Sequence, residues 1–286
     1  MALPFPIAYS NMVQQKILTS RGYLTRINNQ AEIPEGAQAG AITTTVLTAS
    51  TPTTIAEGTA VSNATNTTQA TLTFVDEQVT FSLKPSAAKS WYTKPENIEK
   101  IAFNHADALL FGAIKNLVVD YVAATPGDTQ TLTVGQIDFG TDGTDAEARD
   151  NLTKMMQAVA YLMGNAQNTS PEDYAIVMPL TAFAKFIALR SPQTPFAIYN
   201  NQTFNYEFNG IPIFPIAYTT NFGGASKECA FITHRDAAAC AFIEPFVQNG
   251  GPMYHYDGMW KWVTCGPYAH GVVNATLLAA IANPAS

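Results

Sequence analysis

Between Ala41 and Leu83 the chain carries fourteen threonines, no lysine or arginine, and only Glu57, Asp76 and Glu77 as charged residues. Threonine is β-branched, loses rotamer freedom in a helix and packs well on a pleated surface, so this stretch is pressed toward strand. Ala70, Leu72 and Phe74 alternate with Thr71 and Thr73, and Val79, Phe81 and Leu83 alternate with Thr80 and Ser82. That is the period-two pattern of half-buried strands. Gly58 to Thr68 has turn and loop character. The natural reading is a long two-stranded ribbon, with a sheet of an ordinary β-domain as the alternative. An isolated hairpin is only marginally stable in water, so a ribbon of this length must lie on something.

The next segment of the chain reads as a long helix. From Pro95, the residues Ile98, Ile101, Ala102, His105, Ala108, Leu109, Gly112, Leu117 and Tyr121 recur at helical spacing. Proline suits a first helical turn, Glu96 and Glu99 favour the positive end of the helix dipole, and Pro126-Gly127 ends the run. The spacing predicts a helix of roughly 30 residues, about 45 Å long at 1.5 Å per residue. Such a helix is a spine.

The remaining chain alternates shorter pieces. Residues 1–40, punctuated by Pro4, Pro6, Pro34, Gly36 and Gly40, read as an extended arm. A β-like segment from Thr129 to Phe139 precedes a second amphipathic helix, with Thr144 and Glu147 in capping-box positions and Gly164 as its stop. Tyr174 to Met178 reads as a strand leading into a short helix from Leu180 to Leu189. In "NYEFNGIPIFP", Asn209-Gly210 predicts a tight hairpin turn. Pro212 and Pro215 each lack a backbone donor, so the returning strand is expected to keep out of the middle of a sheet, running along an edge or leaving the ladder early. Two mostly apolar β-like stretches close the chain. This order indicates α+β rather than a parallel α/β array.

Composition narrows the function. Fifteen basic and 22 acidic residues give a net charge of −7 with no basic run, which argues against an extended phosphate-binding surface. Only 13% of residues are charged, against a usual ~25%, so much of the surface is expected to be covered by other subunits. Cys229, Cys240 and Cys265 form no C-x-x-C spacing. They are expected to be reduced thiols packed as small apolar residues, which fits a reducing compartment. The N-terminus lacks a basic n-region, and the apolar run from Val272 to Ala282 is shorter than the ~20 residues a membrane span needs.

Strings that imitate active sites are incomplete. His234-Arg235-Asp236 and Asp138-Phe139-Gly140 occur in the reverse of the kinase order, without a Gly-rich loop or strand lysine in context. Ser86-Ala-Ala-Lys89 lacks the companion motifs of penicillin-binding enzymes. Asp138, Asp142 and Gly143 match calcium-loop positions, but Arg149 stands where a bidentate carboxylate is required. His105, His234, His255 and His270 have no metal-ligand spacing, and His105 reads as a satisfied core or interface residue. The aromatic run "MYHYDGMWKW" reads as a strand pair around Asp257-Gly258 rather than a base-stacking platform. No catalytic, cofactor-binding or metal residue is assigned.

Arm, Thr-rich ribbon, spine helix, "YAIVMPLTAFAKFIAL", "FNGIPIFP" and a terminal apolar β segment succeed one another in this order. That order resembles the major capsid protein of tailed bacteriophages, the Hong-Kong-97-type fold, over essentially the full chain. The resemblance implies an α+β subunit with an N-terminal arm (1–40) and an extension loop (41–84). It further implies a peripheral domain with the spine helix (85–128 and 243–268) and an axial domain (129–242 and 269–286). It implies self-assembly into hexamers and pentamers of an icosahedral shell around double-stranded DNA, touched only weakly and nonspecifically. Scaffolding, portal and cement or decoration proteins are the implied partners, with no membrane, and the virion capsid, assembled in the host cytoplasm, is the implied location.

Under this resemblance, Ile42, Val46, Ile55, Leu72 and Phe74 are the candidate inter-subunit contacts, expected to be buried only against a neighbouring copy. The cross-link of the type member does not carry over, because no lysine lies between Arg26 and Lys84. No heptad-bearing stretch stands ahead of the arm in this sequence, so scaffolding is expected to be separate or dispensable, or its segment already removed. The alternatives are an encapsulin-like nanocompartment shell and a soluble α+β domain of unknown binding function.

Overall fold

The structure, a computed structural model, describes residues 5–19, 22–27, 42–47, 67–84, 95–124, 126–131, 145–188, 198–200, 205–217, 229–242, 253–254 and 260–282. In chain order the elements are α1 (Phe5–Thr19), β1 (Ile42–Leu47), β2 (Thr67–Leu83), α2 (Pro95–Ala123), β3 (Asp128–Thr131), α3 (Asp145–Ala166), β4 (Tyr174–Pro179) and α4 (Leu180–Ala188). Then come β5 (Ile198–Asn200), β6 (Asn205–Phe208), β7 (Ile211–Ile216), β8 (Cys229–His234), β9 (Ala238–Phe242), β10 (Met253–Tyr254), β11 (Trp260–Val272) and β12 (Leu278–Ala282).

The strands make two sheets. One runs β1-β2-β11-β10, with β9 also paired to β11; the other runs β3-β12-β8-β4-β7-β6-β5. The Thr-rich stretch does form a ribbon, with β1 antiparallel to β2 from Ile42↔Leu72 to Leu47↔Thr67. The rest of β2, from Thr73 to Leu83, is paired along its whole length with β11. The ribbon is therefore anchored by a strand that continues into the body of the subunit.

The N-terminal arm is not extended where it is described. Residues 5–19 are helical, and a 3-10 turn at Gly22–Arg26 comes after them. Pro6 stands in the first turn, where its missing N–H leaves no helical bond unmade. Tyr9, Val13 and Ile17, one turn apart, are fully buried in the same core as α2. Pro6 punctuates the entrance of the helix rather than its interior.

The α2 helix is 29 residues long, as the periodicity predicts. The α3 helix runs two residues past Gly164. It closes on Gln167, whose φ of 51° is left-handed, with Gln167 N–H donating to Gly164 O and Asn168 N–H to Met163 O. This is a Schellman closure with glutamine where glycine is usual, and Gly164 is simply a helical residue.

The turn at Asn209-Gly210 is as expected, with φ of 50° and 79°. Its returning strand lies within the sheet rather than at an edge, though it leaves the β6 ladder early, after Ile213. β7 lies between β6 and β4, antiparallel to the first and parallel to the second. Both prolines are accommodated by where the two ladders stop. Backbone donors alternate sides along a strand. Pro212 therefore turns its nitrogen toward β4 one residue before that pairing starts at Ile213, and Pro215 turns its own toward β6 beyond the last pair, Tyr206↔Ile213. Each absent N–H falls where no ladder bond is due.

The seven-stranded sheet is covered on both faces, which is why "YAIVMP" reads as an unbroken apolar run. Ala175, Val177, Phe231, Leu278 and Ala280 face the core shared with α1 and α2. Their alternates Tyr174, Ile176, Met178, Ile232, Ala279 and Ile281 face the core shared with α3 and α4. Cys240 and Cys265 are buried and Cys229 is half-buried, and all three are thiols. Among the described residues, no helix is long and apolar enough to cross a membrane.

Candidate functional site

The site with structural consequence is the seam where α2 lies across β2 and β11. Four alternate residues of β11, Thr264, Gly266, Tyr268 and His270, meet α2 along one helix face built from His105, Leu109, Asn116 and Asp120. Those helix positions repeat at turns of 3.6 residues, so the strand and the helix are matched register for register.

At one end of the seam, His105 Nδ1 lies 2.6 Å from Thr264 Oγ1 and 2.6 Å from Tyr9 Oη of α1. In the middle, Asn116 Nδ2 donates to Tyr268 Oη at 2.6 Å, and that hydroxyl donates to Glu77 Oε2 of β2 at 3.2 Å. Gly112 makes room for this acid, since the Glu77 carboxylate occupies the space a side chain there would fill. At the far end His270 Nδ1 is 2.5 Å from Asp120 Oδ2. Burial, helped by the nearby Glu77 charge, raises the Tyr268 hydroxyl well above its ordinary pKa, so it stays a donor. A second buried link joins Tyr23 Oη to Tyr121 Oη at 2.5 Å and to Thr233 Oγ1 at 3.0 Å, tying the Gly22–Arg26 turn to α2 and β8.

Gly266 marks the closest approach. A Cβ there would stand 2.7 Å from Leu109 Cδ1 and 2.9 Å from Cδ2. Gly266→Ala is expected to lower subunit stability by about 1 to 3 kcal/mol through overpacking. The urea midpoint measures this. Adding Leu109→Ala should make the pair cost less than the sum of the two changes, because each relieves or empties the same space.

The structure disperses the candidate contacts. Ile42 and Val46 lie in β1, paired with Leu72 and Thr68, and Ile55 lies outside the described residues. Leu72 corrects the expectation that it is buried only against a neighbour: it is already fully buried in its own subunit, clustered with Ala239, Ala241 and Ala269. The reason is that β2 carries it over the outer face of the sheet just where β9 joins β11. Phe74 packs partly against the same cluster. Sequence reasoning did not single out Glu77, Asn116, Asp120 or Tyr268. A usable signal was present in the single acidic pair of a Thr-rich strand and in two polar residues, Asn116 and Asp120, one turn apart on the helix. Among the described residues, no group of three or more His, Cys, Asp or Glu side chains is placed to hold a metal ion.

A ribbon paired into a long sheet, a spine helix laid across that sheet, and a second sheet between two helical layers together make up the architecture. The fold is the Hong-Kong-97-type capsid fold. The Mycobacterium phage Che8 structure matches with a TM-score of 0.57 and 15% identity, over 91% of this chain and 90% of that one. The capsid of an empty GTA particle matches at 0.59 and 12%, over 93% and 97%. A virus-like particle from Pyrococcus furiosus matches at 0.56 and 11%, over 98% and 100%. No family model matches the chain, and no curated protein does.

Proposed function

We propose that this chain is the major capsid protein of a tailed bacteriophage, self-assembling into the hexamers and pentamers of an icosahedral shell around double-stranded DNA. The observation that carries the reading is likeness to phage capsid subunits along nine-tenths of both chains. The low charge agrees: with 13% charged residues the subunit has few groups to solvate a surface that is to be shared. In this reading β1 and the paired start of β2 are the extension loop over a neighbour. The five-stranded sheet with α2 is the peripheral domain, and the seven-stranded sheet with α3 and α4 is the axial domain. The role is structural rather than enzymatic, in a virion assembled in the host cytoplasm with scaffolding, portal and cement proteins as partners.

Electron microscopy of the purified protein tests this. Closed shells are expected, and a protein that stays monomeric at high concentration, with or without a scaffold, overturns it. A second reading is favoured by the Pyrococcus furiosus particle, which is covered end to end: an encapsulin-like compartment. Shells isolated from their native source separate the two, since the first holds packaged DNA and the second an enclosed protein.

A further inference from the structure

In the seam His105 is enclosed without a counter-charge among the described residues. His105 is 1% exposed, its Nδ1 is held by the Tyr9 and Thr264 hydroxyls, and its Nε2 is buried with no hydrogen-bond partner. Tyr9 is the α1 side of this contact, and with Val13 and Ile17 it forms the buried stripe of that helix. We propose that His105 is an acid-sensitive latch: the neutral imidazole holds α1 against α2, and its protonation releases the helix. This inference does not depend on the shell reading.

The neutral ring accepts or donates one hydrogen bond at Nδ1, and either hydroxyl can rotate to suit it. Protonation adds a second N–H at Nε2, where no acceptor stands, and a full charge in an apolar enclosure. Among the described residues, the groups around it offer no relief. From α1 the facing titratable group is Tyr9, which burial pushes up to about 12, so it stays uncharged. From β11 the facing residue is Thr264, with Gly266 next on the same face. Val79 of β2 is the register partner of Thr264, and the acid on that face, Glu77, sits over Gly112, roughly 10 Å farther along the helix at 1.5 Å per residue. On α2 itself Glu99 and Asp107 are exposed, the latter 3.9 Å from Lys16.

Burial lowers the imidazole to about 4 from its ordinary 6.5. A group whose folded pKa is lowered in this way binds fewer protons docked than released. Docking is therefore fully stable above about pH 6.5 and weakens as the pH falls toward 4. The ring can be solvated by lifting α1, which leaves the seven-stranded sheet covered by α2 on one face and by α3 and α4 on the other.

Amide hydrogen exchange on the full chain, scaled for intrinsic rates, tests this at pH 7.5 and stepwise to pH 4.5. Exchange across residues 5–19 should rise by up to about tenfold per pH unit below 6.5, the limit for one coupled proton. The amides of β4 and β8 should stay protected. His105→Gln, with no proton to gain, should flatten the response, while His270→Gln should keep it. The latch is overturned if α1 stays equally protected across the range, if His105→Gln shows the same acid loss, or if β4 and β8 open together with α1. The last comparison needs only the unaltered chain, so it decides even where the glutamine variant does not fold.

Discussion

Leu72→Asp is expected to leave no stably folded subunit. The side chain is fully enclosed by Ala239, Ala241 and Ala269 of the same chain, and its terminal methyl lies 3.1 Å from where a Cβ on Gly271 would stand. Removing a buried leucine costs about 2 to 5 kcal/mol. Leaving a carboxylate in its place adds several more unless the group protonates, at a site where the cluster supplies no donor side chain. Small domains are stable by about 5 to 15 kcal/mol in total. Far-ultraviolet circular dichroism and thermal melting of the unassembled subunit report the result. A subunit that melts within about 2 °C of the parent would show that the enclosure seen around Leu72 is not what holds this end of β2.

Val46→Asp is expected to do the opposite, sparing the subunit and stopping assembly. Val46 pairs with Thr68, four pairs beyond Ile42↔Leu72, while the ladder of β2 with β11 ends at Thr73. At about 3.3 Å per residue the Val46 position lies on the order of 13 Å farther out along a part of the ribbon where, among the described residues, β1 and β2 pair with each other alone. Changes away from a packed core usually alter stability by about 0.5 kcal/mol or less, so the melting temperature should hold. In a shell, a lost apolar contact of about 1.5 to 3 kcal/mol recurs at every subunit, so closed particles should become rare at concentrations where the parent assembles fully. Light scattering and electron microscopy measure the yield. Normal shell yield with a lowered melting temperature would mean that the ribbon acts within its own subunit. Together the two variants place the boundary between the strand that builds the subunit and the strand that reaches beyond it.

That boundary was the least legible part of the chain. The apolar positions change phase from Ala70, Leu72 and Phe74 to Val75, Val79, Phe81 and Leu83, which marks a change of buried face, but period two itself reads the same whether a strand's partner is β1 or β11. Nothing local marks Leu72 as the residue where one pairing gives way to the other. The N-terminal helix was hidden for a different reason. Two prolines within six residues suggest a broken chain, but Pro6 falls in a first turn, and the stripe of Tyr9, Val13 and Ile17 has meaning only once α2 provides a surface for it. The edge reading of the hairpin failed similarly. A missing N–H disqualifies a residue from a central ladder only if a partner acceptor stands opposite, and the lengths of β4 and β6 ensure that none does.

What the sequence determined by itself is whatever rests on neighbours within a few residues. Threonine density and period two made the ribbon, Pro95 and the 3.6-residue stripe made the 29-residue helix, and Asn209-Gly210 made the turn. Order along the chain then indicated the capsid fold, because few architectures place a ribbon immediately before a spine helix. Only the tertiary structure decided which polar residues meet. Glu77, Asn116 and Tyr268 stand 39 and 152 positions apart in sequence yet share one hydrogen-bonded chain, and Tyr9 reaches His105 across 96. Such contacts depend on the angle and register with which a helix settles on a sheet. That choice is made by close packing, here Leu109 against Gly266 and Glu77 above Gly112, and no local pattern encodes it.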